Sequence, residues 1–158
     1  METTGECRCG RITMELTAEP LLTFQCHCDG CQKMMASAFS LTAKVPAEGF
    51  RVITGEPVLG GLQTGSAHYY CPHCKSCLFS ELPGQESVVN LRMTLFEGLK
   101  SYPPFIEVFL SEKLPWVQPS APRQYQRAPA PDEMADLIID YAKWQERTAQ
   151  PVILQQSA

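Results

Sequence analysis

Between residues 5 and about 116, apolar and polar positions alternate in short stretches. Ile12, Met14 and Leu16 alternate with Arg11, Thr13 and Glu15, and Phe39, Leu41, Ala43 and Val45 alternate with Ser40, Thr42 and Lys44. Val89, Leu91, Met93 and Leu95 repeat the signal. A period of two is that of a strand with one buried face, because successive side chains leave a pleated backbone on opposite sides. Shorter strands are predicted at 50–53, 68–70, 78–81 and 106–110, separated by turn formers such as Thr54-Gly55-Glu56-Pro57, Gly60-Gly61 and Pro83-Gly84. No βαβ spacing accompanies them, so the body reads as mainly β.

The texture changes at Pro115. Five of the 13 prolines fall between Pro115 and Pro131, where a fixed φ and a missing N–H hold the chain extended and keep it out of helices and central strands. This stretch reads as a surface strap. Beyond it, Met134, Leu137, Ile138, Tyr141 and Trp144 recur at helical spacing, with Asp132 and Glu133 in the first turn, where the helix dipole favours negative charge. One amphipathic helix is predicted over about residues 132–147, its apolar stripe packed on the β body. The chain thus divides into a body over residues 1–127 and a C-terminal helix and tail over 128–158 that belong to the same domain. The tail carries Val152-Ile153-Leu154 between polar residues and reads equally as docked or frayed.

The 158 residues are 44% apolar, enough for one domain that buries roughly two thirds of its unfolded surface. A domain of this size folds without disulfides, so its 8 cysteines ask for another role. With 13 Lys and Arg against 17 Asp and Glu, the net charge of -4 gives no basic footprint, which argues against nucleic acid as a partner. The longest uncharged, apolar-leaning run, Met34 to Ala43, is about half the roughly 20 residues of a membrane helix. Met1 to Glu6 have neither the basic start nor the apolar core of a signal peptide. A cytoplasmic protein with reduced thiols and no membrane partner is expected, and there clustered cysteines are metal ligands or catalytic groups. The pattern sets no oligomeric state.

The cysteines form three clusters: Cys7-x-Cys9, Cys26-x-Cys28-x-x-Cys31 and Cys71-x-x-Cys74-x-x-Cys77. Zinc accepts thiolates at about 2.3 Å in a tetrahedron, and a tight turn with two sulfurs two or three residues apart supplies adjacent corners of it. Two such turns, distant in sequence, close one site. Cys7 and Cys9 pair in this way with Cys71 and Cys74, which leaves Cys26, Cys28 and Cys31 to place three thiolates on a second ion from one loop. A catalytic zinc commonly has three protein ligands and an open position. Cys77 is then a buried small apolar residue or a fourth ligand from across the fold; two closed four-cysteine sites would make the protein purely structural. Three thiolates donate charge to the ion and weaken it for water activation. An incoming thiol can instead lose its proton there and be held as a nucleophile.

These residues carry a resemblance. Gly-x-Cys-x-Cys-Gly (Gly5 to Gly10), Cys-His-Cys-x-x-Cys (Cys26 to Cys31), Ser-Ala-Phe (Ser37 to Phe39), Phe50-Arg51-Val52-x-x-Gly55, Tyr70-Cys71-Pro72-His73-Cys74 and Lys113-Leu114-Pro115-Trp116, taken in that order, resemble the glutathione-dependent formaldehyde-activating enzyme family, also called the centromere-protein-V-like domain. The resemblance spans about residues 5–127. It implies a mainly β, Mss4-like fold of several small coiled sheets with zinc knuckles, a structural zinc on Cys7, Cys9, Cys71 and Cys74, and a catalytic zinc on Cys26, Cys28 and Cys31. It further implies glutathione as co-substrate and a carbon-sulfur lyase type of reaction, in which glutathione and formaldehyde form S-hydroxymethylglutathione. The rival class is a non-catalytic zinc module that carries glutathione or binds a protein.

Besides Cys77, a thiol where the family seldom needs one, two positions depart from the family pattern. Lys75 stands where glycine usually follows the last knuckle, and Ala36 replaces the glycine often found before Ser-Ala-Phe. Around the clusters, His27, His68 and His73 are candidate ligands or proton carriers whose ordinary role is packing. Lys33, Lys44, Arg51 and Arg92 are candidate anchors for glutathione carboxylates, and Phe39, Tyr69 and Tyr70 candidate pocket walls.

Overall fold

The structure, a computed structural model, describes residues 2–62 and 65–148. Eleven strands and two α-helices follow one another as β1 (Thr3–Glu6), β2 (Thr13–Leu16), β3 (Leu22–Cys26), α1 (Asp29–Met35), β4 (Ser40–Pro46), β5 (Phe50–Thr54), β6 (Val58–Gly60), β7 (Ala67–Tyr70), β8 (Cys77–Glu81), β9 (Val88–Arg92), β10 (Ile106–Val108), β11 (Arg123–Gln124) and α2 (Glu133–Thr148). A three-stranded sheet runs β1-β2-β5, and an eight-stranded one runs β11-β10-β3-β4-β9-β8-β7-β6. All neighbours are antiparallel except β3-β10 and β10-β11. The mainly β expectation holds.

The two faces of the large sheet differ in chemistry. Ala43 and Val45 of β4, Val89 and Leu91 of β9 and Phe79 of β8 point to one side, where Met14 and Leu16 of β2 close the main core. The other side carries Leu22, Cys26 and Val108, against which α2 lays Leu137 and Tyr141. The apolar stripe predicted for the helix is therefore the packed one: Leu137 and Tyr141 are buried, and Met134, Ile138 and Trp144 half-buried. The tail residues 149–158 lie outside the described residues.

Two predicted strands end early, for identifiable reasons. The alternation through 89–95 persists only to Arg92, after which Met93–Leu95 forms a 3-10 turn that keeps Met93 in the core. The strand predicted at 106–110 ends at Val108 because Phe109 takes φ 59, a left-handed conformation that no strand accommodates and that is rare for a bulky side chain. The proline-rich stretch runs extended as predicted, but it is anchored as well as exposed: Val117 and Ala121 are buried, and Arg123–Gln124 adds β11 beside β10. Short β1, β6 and β11, central β3 and helix α1 are elements that the alternation does not reveal.

Candidate metal centres

Cys7 and Cys9 leave the turn between β1 and β2, and Cys71 and Cys74 the turn between β7 and β8. Their four sulfurs all lie within 4.8 Å of one another. A tetrahedron with 2.3 Å bonds has edges of about 3.8 Å. Cys7 Sγ stands 3.5 Å from Cys9 Sγ, and Cys9 Sγ 3.8 Å from Cys71 Sγ, so the spacing fits an ion between them. The backbone is shaped to match. Ile12 N–H points at Cys7 Sγ at 3.3 Å, and the Arg8 amide reaches across to Ser76 Oγ at 3.2 Å, tying one turn to the other. Hydrogen bonding by Ser76 lowers the Cys74 thiol to about 5, the direction a metal ligand needs.

Both turns reverse through a left-handed residue directly after their second cysteine. In the first it is Gly10 at φ 72, in the second Lys75 at φ 60. The departure noted in the sequence thus falls where a side chain is strained. Ala36, the other departure, caps α1 at φ 47. A non-glycine residue in this conformation costs about 1 to 2 kcal/mol, part of which glycine returns through its freedom when unfolded. Lys75→Gly and Ala36→Gly are each expected to raise stability by about 0.5 to 1 kcal/mol, read as a higher urea midpoint at unchanged slope. Lys75 Nζ meanwhile bonds the Pro72 carbonyl at 2.7 Å rather than a sulfur.

The second cluster sits where β3 runs into α1. Cys26 ends the strand, Cys28 caps the helix by accepting the Cys31 amide at 3.3 Å, and Cys31 lies in the first turn. The three sulfurs are within 4.8 Å of one another, and among the described residues no further Cys, His, Asp or Glu joins them. The Cys31 thiol is lowered to about 5, chiefly by hydrogen bonding with Cys26 and helped by the Arg92 guanidinium, while that same bond and burial push Cys26 up. This donor set is one that a thiophilic ion such as zinc accepts.

The loop is held from 80 residues downstream. His27 N–H donates to the Val108 carbonyl at 3.0 Å, and Gln32 Nε2 donates to the carbonyls of His27 and Glu112 at 2.6 and 2.9 Å. The Glu112 carboxylate accepts the Asp29 amide at 2.8 Å. Behind the loop, fully buried His27 turns away from the sulfurs, its Nε2–H donating to Oε2 of fully buried Glu107 at 3.0 Å. Glu107 Oε1 accepts the amides of Ser120 and Ala121 at 2.6 and 2.8 Å. One carboxylate thereby fixes both the cysteine loop and the proline-rich strap. Glu107, Gln32 and Glu112 had no local signal in the sequence, since each acts across about 80 residues.

Beside Cys26 the large sheet presents an unusual face. Register places Lys44 opposite Leu22 and Asn90, and Thr42 opposite Phe24 and Arg92, while Ser80 lies between Asn90 and His68. This row is polar yet buried. Arg92 donates from Nη1 to Thr42 Oγ1 at 2.8 Å, from Nη2 to Ser80 Oγ at 2.7 Å and from Nε to Cys77 Sγ at 3.4 Å. Ser80 in turn contacts His68 Nδ1 at 2.6 Å, and burial together with Arg92 holds the His68 pKa below the usual value. Cys77 is therefore a buried hydrogen-bond acceptor outside both clusters.

The remaining candidates separate cleanly. Lys33 pairs with Asp29 at 2.6 Å and Arg51 with Glu15 at 2.6 Å, both on the surface, and His73 is exposed. Tyr69 stacks on Phe79 at 4.6 Å in the main core, and Phe39 meets the His27 ring edge-on at 5.5 Å. Of the four candidate cations, Lys44 and Arg92 lie on the Cys26 side of the sheet, in the same row as His68.

The sequence model of one family, described as glutathione-dependent formaldehyde-activating enzyme, matches residues 2–112. The chain belongs to that family. Both cysteine clusters fall inside the match, whereas most of the proline-rich strap and α2 lie beyond it. Among solved structures, the crystal structure of a Rhodobacter sphaeroides protein, a structural-genomics target, is similar with a TM-score of 0.50 and 20% identity, covering 60% of this chain and 88% of that one. At that identity the likeness speaks for the fold alone. A search of curated proteins returned no match. The mainly β fold of this member of the glutathione-dependent formaldehyde-activating enzyme family is the one expected, and its two groups of sulfurs could each hold a metal ion. Among the described residues, no helix is long and apolar enough to cross a membrane.

Proposed function

We propose that the chain joins a small thiol to an aldehyde, glutathione and formaldehyde being the pair that the family's description names. In this reading Cys7, Cys9, Cys71 and Cys74 hold a zinc that maintains the fold, and Cys26, Cys28 and Cys31 hold the zinc of the reaction. The observation that carries it is the contrast between the clusters: four sulfurs converge in one and three in the other, and Cys26 of the three lines a cavity of about 530 Å³. Bound to three thiolates, zinc supplies a position where an incoming thiol loses its proton at neutral pH.

The chain's own part is to orient and to exclude water. Gln32 and Glu112 fix the loop that carries the cysteines, and the buried guanidinium of Arg92 offsets thiolate charge beside Cys31. Leu22, Phe24 and Val108 give the cavity apolar walls next to the sulfurs. In the reaction the thiol sulfur forms a bond to the carbonyl carbon, the carbonyl pair moves to oxygen, and the proton lost by the thiol ends there. Run backwards, the same step breaks a carbon-sulfur bond, as a lyase does. Proximity and thiolate formation are the catalytic terms.

The test is adduct formation from formaldehyde and glutathione with the zinc-loaded chain. Saturable acceleration above the spontaneous rate, abolished by chelation and restored by zinc, is the expected result. A chain that retains two zincs and binds glutathione in native mass spectrometry, yet leaves the rate unchanged, is a carrier and not an enzyme.

A further inference from the structure

The proposed reading brings a thiol to Cys26, Cys28 and Cys31, and the rest of the thiol compound must then occupy the cavity beside them. That cavity runs from Cys26 past Phe24 to Lys44 and Asn90, with Met134 at the start of α2 and Pro131 of the strap on its outer side. Its far end has the features of a recognition site.

Lys44 is 7% exposed, and its Nζ makes one hydrogen bond, to Gln85 Oε1 at 3.1 Å. Among the described residues it has no carboxylate partner, since the ion pairs present all involve other cations. An ammonium has three donors, so two remain for a ligand. A buried, unpaired cation is costly, and burial accordingly depresses the Lys44 pKa. Directly across the strand pair stands Asn90, 9% exposed, whose Oδ1 is buried with no hydrogen-bond partner. A buried acceptor left without a donor is rare in a folded protein. The same cavity therefore offers a positive charge that lacks an anion and an acceptor that lacks an N–H.

Both wants are met by one kind of group, a carboxylate with an N–H beside it, as at the end of an amino acid or peptide. Distance narrows the choice further. Cys26 lies opposite Ser40 and Leu22 opposite Lys44, so the charge sits four residues along β4 from the sulfurs, about 13 Å of strand before the reach of the lysine side chain is subtracted. In free cysteine only Cα and Cβ separate sulfur from carboxylate, which is too short a span.

We infer that Lys44, with Asn90 beside it, is the specificity-determining residue of the site and selects a peptide-length thiol by its remote carboxylate. Lys44 touches the end of the substrate away from the reacting sulfur, so it governs which thiol binds and not the bond-forming step. This inference rests on the proposed arrival of a thiol at Cys26, Cys28 and Cys31.

Cobalt(II)-loaded full-length chain provides the test, because sulfur-to-cobalt charge-transfer absorption reports a thiol at the three-cysteine site whether or not Lys44 contributes. Titrations would use glutathione, its diethyl ester and cysteamine, with the wild type, Lys44→Met and Lys44→Arg. Lys44→Met replaces a buried charge by an apolar chain of similar length, so an unchanged circular dichroism spectrum is expected. The expected result is that Lys44→Met weakens glutathione by about tenfold or more, the usual scale for a hydrogen bond to a charged group. The ester and cysteamine should bind the variant and the wild type equally, and Lys44→Arg should recover part of the loss. Equal affinity of variant and wild type for glutathione would overturn the inference, as would an equal loss for all three thiols. If no thiol perturbs the wild-type spectrum, the proposed function fails first and the role of Lys44 fails with it.

Discussion

Cys71→Ser is expected to leave the chain unfolded and holding less than one zinc, whereas Cys28→Ser is expected to fold and to hold one. Cys71 is fully buried within the main core, and its sulfur stands 3.8 Å from that of Cys9, so it joins the β7-β8 turn to the start of the chain. A structural zinc contributes about 10 to 16 kcal/mol of apparent binding free energy, as much as the whole stability of a domain, about 5 to 15 kcal/mol. Cys28 occupies a different position. It is half-buried just beyond the end of β3, and its second role is to cap α1 by accepting the Cys31 amide. Serine is among the best N-cap residues, so the substitution removes a metal ligand while preserving the cap. Metal content together with far-ultraviolet circular dichroism decides the matter. If both variants kept two zincs and a native spectrum, the division of the cysteines into two centres would be wrong.

Glu107→Ala should lower stability by about 3 to 5 kcal/mol, the cost of leaving several buried hydrogen-bond donors without their acceptor. The carboxylate satisfies three donors, and alanine leaves the amides of Ser120 and Ala121 and the ring N–H of His27 buried without acceptors. Glu107→Gln keeps an oxygen for the two amides and should cost markedly less, about 1 to 2 kcal/mol. Urea unfolding of the two variants, each compared at full zinc loading, measures the difference. The strap is the segment expected to loosen first. Hydrogen exchange of the Ser120 and Ala121 amides should accelerate in Glu107→Ala beyond the change explained by global stability.

Much of this architecture is readable from residue order. Alternation marks β2, β4, β5, β7, β8 and β9 because each has one face in the main core, and the helical stripe marks α2 because Leu137 and Tyr141 must both meet the sheet. The cysteine clusters are equally readable, since a metal knuckle is a local motif whose sulfurs are set by a single turn. What escapes is everything decided at a distance. Strand β3 buries both faces, Thr23 and Gln25 included, so its polar residues disguise a central strand. Helix α1 has no buried residue and therefore no stripe; it is held by Gln32 and Glu112 instead. The row of Lys44, Asn90, Arg92 and Ser80 shows the limit best. A period of two tells which residues share a face, but polar residues on that face normally mean solvent, and here they mean a buried site. Nothing in the local pattern distinguishes the two, because burial is conferred by segments distant in sequence, such as Pro129, Pro131 and Met134 around Lys44 and Asn90.

Sequence separation also sets the order in which the two metal centres can form on the ribosome. The four-cysteine centre is complete in outline once residue 77 has been made, because its ligands and the turns that orient them all lie between Cys7 and Cys77. The three-cysteine loop emerges much earlier, yet its long-range contacts wait for residues 107–112. At about 5 to 20 residues per second, those thirty-odd residues take about 2 to 7 s to synthesise. During that interval a metal ion could enter the four-cysteine group while the three-cysteine loop still lacks those contacts. An ion delivered late would thus enter a domain whose first centre has already closed.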